Sequence, residues 1–188
     1  MSRLPLIISR ILDPFIFILV IIFLGTINLS QTPFVINLVP AIATLGIFMG
    51  YFFYTLKTGL SSNYDVTNRN ERQRLGIVGV ILVLILIIYY WVSREVKLAQ
   101  FILSLEILGI VFSIITTKWK ISFHAGIQGY VVAVTVFFYG NVGYLLILNI
   151  ILIIWARVKG KYHTLYQAIT GGIVGLVLGE IFLRILIK

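Results

Sequence analysis

The sequence predicts an all-α fold, a polytopic transmembrane helical bundle of six to seven spans. Three observations predict it. Of the 188 residues, 60% are hydrophobic and 11% charged, with a mean hydropathy of +1.08, whereas a soluble domain carries about 25% charged residues. The apolar runs are unbroken rather than alternating, which excludes a transmembrane barrel. The basic residues flank those runs, as they do at membrane surfaces. Backbone groups in hydrocarbon must pair within their own segment, so the spans are helices. The chain reads as a single integral membrane domain, 1–188.

A span needs about 20 apolar residues, or fewer with snorkelling flanks. Arg3 and Arg10 precede the first apolar run without a small-residue cleavage site after it, so that run is expected to be retained as a span, Phe15 to Leu29. The second span is expected from Phe34 to Leu56, kinked at Pro40. A polar stretch, Lys57 to Arg74, separates it from an uncharged third span, Leu75 to Val92. Leu98–Thr117, Ala125–Phe138, Val142–Ala156 and Leu165–Ile187 follow. Tyr51, Tyr54, Tyr89, Tyr90, Trp91, Trp119 and Trp155 stand near span ends, where an aromatic belt is expected. Gly171, Gly175 and Gly179 recur every four residues and predict close helix packing. Glu180 and Arg184 are spaced for an i,i+4 pair.

With these crossings, three polar segments return to one membrane face: 57–74, 118–124 and 157–164. Of the Lys and Arg residues, only Arg94, Lys97, Arg184 and Lys188 fall on the other face. The chain has no cysteine and two histidines, His124 and His163, both on the richer face. That removes disulfides and thiolate chemistry. The net charge of +9 is placed for lipid headgroups or phosphates, and nucleic acid is excluded as a partner. With no HExxH and no third clustered ligand, neither a metal nor another cofactor is expected. Glu106, mid-span, is a functional suspect because an intramembrane carboxylate is costly. Arginine binds phosphate oxygens bidentately and lysine at a point. A histidine serves as nucleophile or proton donor near neutral pH. Two histidines with several arginines therefore fit phosphoryl transfer without a metal.

The residues resemble the type 2 phosphatidic acid phosphatase superfamily, which includes lipid phosphate and prenyl diphosphate phosphatases. Its pattern is K-x6-R-P, then P-S-G-H, then S-R-x5-H-x3-D. Ser122-Phe-His124 is similar to the second part, with Ile121 and Phe123 replacing Pro and Gly. Arg157 to His163 matches R-x5-H, with Ala156 for Ser and Gln167 for the Asp. In the first part Arg72 fits the Arg, while Asp65 takes the Lys position and Gln73 the Pro position. The resemblance covers about residues 57–179 and looks like a divergent branch.

The resemblance implies a multi-pass membrane phosphatase acting on a phosphate or diphosphate monoester whose tail stays in the bilayer, phosphatidate-like or a polyprenyl diphosphate. By position, His163 would attack phosphorus to form a phosphohistidine, and His124 would protonate the leaving group. Arg72, Arg157 and Lys120 would hold the phosphoryl oxygens, with Arg69 and Ser122 adding contacts. Gln167 or Asp65 would orient the nucleophile. The expected partners are that phosphorylated lipid and the surrounding membrane lipids. Because Gln167 supplies no negative charge, the alternative is a catalytically degenerate relative that binds or translocates phosphorylated lipids. A transporter or structural subunit built on Glu106 is a further alternative.

Overall fold

A computed structural model describes residues 3–64, 66 and 68–187, with Arg69 described by its backbone alone. The described residues form helices and no strands: α1 (Arg3–Ile11), α2 (Pro14–Leu29), α3 (Phe34–Lys57), α4 (Arg69–Val92), α5 (Val96–Thr116) and α6 (Phe123–Tyr139). A 3-10 turn (Gly140–Leu146), α7 (Ile147–Lys159) and α8 (Leu165–Leu186) complete the chain. Six helical stretches are long and apolar enough to cross a membrane: 3–29, 34–57, 70–92, 96–116, 123–159 and 165–186. The fold is that of a multi-pass α-helical membrane protein.

The chain divides into two compact units. One contains residues 3–28 and 120–187, and the other contains Leu29–Trp119. In the first, α6 and α8 share the tightest interface, and the glycines explain it. A Cβ added at Gly175 would lie 1.9 Å from the Gly126 carbonyl oxygen, and one at Gly171 would lie 2.4 Å from that of Ser122. A Cβ at Gly129 would meet the Gly172 oxygen at 2.2 Å. The two backbones touch, as the every-fourth glycine predicts.

The stretch 123–159 is helical throughout, yet it doubles back. Gly140 has φ +69°, a conformation open to glycine, and it ends α6. A Cβ on Gly143 would sit 2.4 Å from the Val136 nitrogen, so the 3-10 turn folds flush against α6, and α7 returns along it. The two shorter expected spans, 125–138 and 142–156, are thus the arms of this hairpin. At the other end of the unit, α1 packs on α7. The corner between α1 and α2 is built by Asp13, whose Oδ1 accepts the Phe15 N–H at 2.9 Å, and by Pro14 at the first helical position. Leu12, Ala125 and Ile153 form a small core there, with Ile8, Phe17 and Ile154 packed around it.

In the second unit α4 packs on α3 and α5. Gly76 of α4 lies close to Ser113 of α5, and a Cβ added to it would stand 3.0 Å from Ser113 Oγ. The stretch 57–74 is only partly loop. The Asn68 side chain accepts from the Asn70 N–H and starts α4 a turn earlier than hydropathy suggests, so Arg69, Arg72 and Arg74 are helical. Glu71, buried, accepts from the N–H and hydroxyl of Ser62, each at 3.1 Å, and Arg74 donates to the Leu60 carbonyl. At the opposite end Glu95, 2% exposed, accepts from the Gln31 N–H at 2.9 Å and from the Thr32 N–H and hydroxyl at 3.0 and 2.7 Å. Tyr90 departs from the aromatic-belt expectation. It is fully buried, and its hydroxyl donates to the Asn37 carbonyl at 2.5 Å. Helix α3 runs unbroken through Pro40.

Candidate functional site

The second and third polar segments meet at one end of the first unit. Their meeting follows from the hairpin. Helix α6 begins where α7 ends, and the short α7–α8 link keeps the start of α8 beside them. The Ser122 N–H donates to the Gln167 carbonyl at 3.2 Å, joining the segments directly.

The R-x5-H spacing has a local cause. Helix α7 ends in a turn in which the N–H groups of Tyr162 and His163 both donate to the Arg157 carbonyl, at 3.0 and 3.3 Å. Lys161 takes a left-handed conformation, φ +59°, to close it. The turn returns His163 to the residue six positions earlier and lays the Tyr162 ring against the Arg157 guanidinium, 4.2 Å from its centroid. Thr164 then starts α8 with a capping box. Its hydroxyl accepts the Gln167 N–H at 3.3 Å, and Gln167 Oε1 accepts the Thr164 N–H at 3.0 Å.

On the facing helix, Ser122 is the N-cap of α6, its hydroxyl accepting from the Ala125 N–H at 3.5 Å. His124 follows in the first turn, where helix N–H groups point outward and favour an anion. Its ionisable neighbours are Arg157, His163 and Arg10. His163 lies against Arg157 and Lys120, and its ring hydrogen-bonds the Lys120 backbone and the Gln167 side chain. Its Nδ1 is buried without a hydrogen-bond partner among the described residues. Burial, together with the Arg157 and Lys120 charges, lowers the His163 pKa to about 4, against those two hydrogen bonds, which raise it. The imidazole is therefore neutral at pH 7, with a lone pair on one nitrogen.

Arg157 is 3% exposed. Its Nη1 donates to Ser9 Oγ of α1 at 2.9 Å. Gln128, one turn beyond His124, is fully buried and donates to the Leu12 carbonyl at 3.5 Å. The last turn of α1 thus abuts the site, which the sequence reading does not foresee. The signal was small: Ser9 and Asp13, four apart, interrupt an otherwise apolar and basic start, and both are buried.

The expected site residues divide as follows. His124, His163, Arg157, Lys120, Ser122 and Gln167 come together in the first unit. Arg69 and Arg72 open α4 in the second unit. Asp65 lies outside the described residues. Glu106 is in α5 of the second unit, 5% exposed. Among the described residues no group of three or more His, Asp or Glu side chains is placed to hold a metal. No protein-family model matches this chain, and no curated protein or solved structure matches it.

Proposed function

We propose that this protein is a membrane-embedded phosphatase acting on a lipid phosphate or diphosphate monoester, through a phosphohistidine and without a metal. The observation that carries the reading is the gathering of His124, from the start of α6, with Arg157 of α7 and His163 of the turn that follows it, at the end of the α6–α8 pair.

A ring nitrogen of His163 attacks phosphorus, and the bond from phosphorus to the lipid-side oxygen breaks. His124, charged as the imidazolium once the phosphate dianion is bound beside it, gives its proton to that leaving oxygen. Neutral His124 then takes a proton from water, which attacks the phosphohistidine. The P–N bond breaks, inorganic phosphate leaves and both histidines return to their starting forms. The low pKa of His163 supports a nucleophile that needs no deprotonation at neutral pH. Lys120 and Arg157 offset charge on the phosphoryl oxygens, and the first turn of α6 adds N–H donors. The Lys120 backbone and Gln167 hold the His163 ring in place of a carboxylate. The substrate tail stays in the bilayer, which in this reading is the cell membrane.

The test is phosphate release by the purified full chain in detergent with chelator present, from dioctanoyl phosphatidate and farnesyl diphosphate. Wild type releases phosphate and His163→Ala does not. Undiminished release by the folded His163→Ala protein would refute the covalent mechanism. A second reading, a protein that binds phosphorylated lipids without hydrolysis, is favoured by Gln167, a neutral amide whose oxygen also serves the capping box. It predicts binding of the same lipids with no release.

A further inference from the structure

We infer that Arg10, in the last turn of α1, is an anion-contacting residue of this site, a place that no motif in the sequence assigns to it. The inference rests on the phosphate-monoester reading above and extends it to a helix outside the 57–179 resemblance.

Three contacts fix the last turn of α1 against the histidines. Ser9, 4% exposed, accepts from the buried Arg157 guanidinium at 2.9 Å. The Leu12 carbonyl accepts from Gln128, which stands one turn beyond His124 on α6. The Leu12 side chain packs with Ala125, the residue after His124, and with Ile153. Arg10 lies between these anchors. Unlike Ser9 and Leu12 it is exposed, and it is one of the charged neighbours of His124. The corner that follows is held by the Asp13 cap and Pro14, so the turn cannot drift without breaking the start of α2.

Arg10 thus adds a second guanidinium to the one that Arg157 contributes beside His124. Arg157 is covered by Tyr162 on one side and committed to Ser9 by one Nη. Arg10 is exposed, and the planar donor fork of a guanidinium suits two phosphoryl oxygens. The ligand chemistry is the phosphate monoester group, carried on a lipid or free as inorganic phosphate.

The experiment uses the full chain in detergent and two probes, dioctanoyl phosphatidate and inorganic phosphate, with binding read by calorimetry and hydrolysis by phosphate release. Arg10→Gln weakens phosphatidate binding, or raises its KM, by about tenfold, the scale of one charged hydrogen bond, and Arg10→Lys recovers part of the loss. Arg3→Gln, at the far end of the same helix, changes either value by less than about twofold. Loss with phosphatidate but not with inorganic phosphate identifies the lipid headgroup as the ligand; equal loss with both identifies the phosphate group itself. A second measurement needs no variant: phenylglyoxal labels Arg10 in the wild type, and either probe protects it. An active wild type with unchanged KM in Arg10→Gln, and no protection at Arg10, overturns this inference and leaves the phosphatase reading standing. Binding that depends on Arg10 without any phosphate release overturns the phosphatase reading and leaves this inference. A wild type that binds neither probe overturns both.

Discussion

His163 is the proposed nucleophile of the first unit. Its pKa of about 4 arises from burial, then from Arg157 and Lys120. Two consequences can be measured. In histidine-labelled protein, the His163 resonance titrates near pH 4, and Lys120→Gln moves the midpoint upward, because a cation that disfavours the imidazolium has gone. A midpoint at the ordinary value near 6.5 would contradict the structure. Stability follows the same shift. The unfolded chain takes up the proton near pH 6.5 and the folded one only near 4. The His163 contribution is complete above 6.5 and is lost as pH falls from there toward 4.

Arg157 is legible in the sequence as half of an R-x5-H spacing. Its hydrogen bond to Ser9 is not, because the two are far apart in the chain and no local pattern links them. Tyr90 shows the converse. Beside Tyr89 and Trp91, both exposed, it looks like a third belt aromatic. A helix turns by about 100° per residue, so one of three consecutive aromatics faces inward and finds the Asn37 carbonyl.

At the scale of elements, the α6–α8 contact carries the site. Ser122 and His124 sit on one helix and His163 and Gln167 at the start of the other, so their separation is set by how closely the backbones approach. Gly175→Ala places a methyl where the Gly126 oxygen lies 1.9 Å away. It is expected to cost about 1–3 kcal/mol, read by thermal unfolding in detergent, and to lower phosphate release because the segments separate. Gly46 is the control: nothing lies within 4 Å of where its Cβ would stand, and Gly46→Ala is neutral or slightly stabilising, by up to about 1 kcal/mol.

The second unit has a comparable fixed point in Glu95. Its turn resembles a solvated hairpin between spans, yet the carboxylate is buried and stands just before the start of α3, where helix N–H groups favour negative charge. Burial alone would raise its pKa, but the bonds from Gln31, Thr32 and Asn37 outweigh burial and lower it. Its contribution to stability is present above the ordinary carboxylate pKa and is lost as pH falls through the lower folded value. Glu95→Gln puts an NH2 group in place of one carboxylate oxygen, against the Gln31 or the Thr32 N–H, and is expected to cost about 1–3 kcal/mol. If thermal unfolding of Glu95→Gln matched wild type, the clamp would be decorative.

Across the whole molecule, the hairpin at Gly140 decides which segments share a face. The absence of native cysteine makes this directly testable. Single cysteines at Lys161, in the α7–α8 link, and at Val142, in the 3-10 turn and 66% exposed, are expected to react with an impermeant maleimide from opposite sides of a sealed vesicle. Labelling of both from the same side would mean that 123–159 does not cross as a pair of arms.

The sequence by itself determined the solvent, the helical class and most helix boundaries. Each of those follows from short-range facts: apolar runs long enough for a bilayer, backbone groups that must pair within their own segment, and caps such as Asn68 and Thr164 whose partners lie two or three residues away. It also marked His124, His163 and Arg157 by type and spacing. Only the tertiary structure decided that the end of α1 abuts these residues, that Tyr90 is core and that Glu95 clamps a distant loop. Those contacts join positions between about 50 and 150 residues apart, as Tyr90 with Asn37 and Arg157 with Ser9 show. Their donors and acceptors pair because burial makes an unpaired polar group costly, and which groups are buried together is fixed by packing, not by order along the chain.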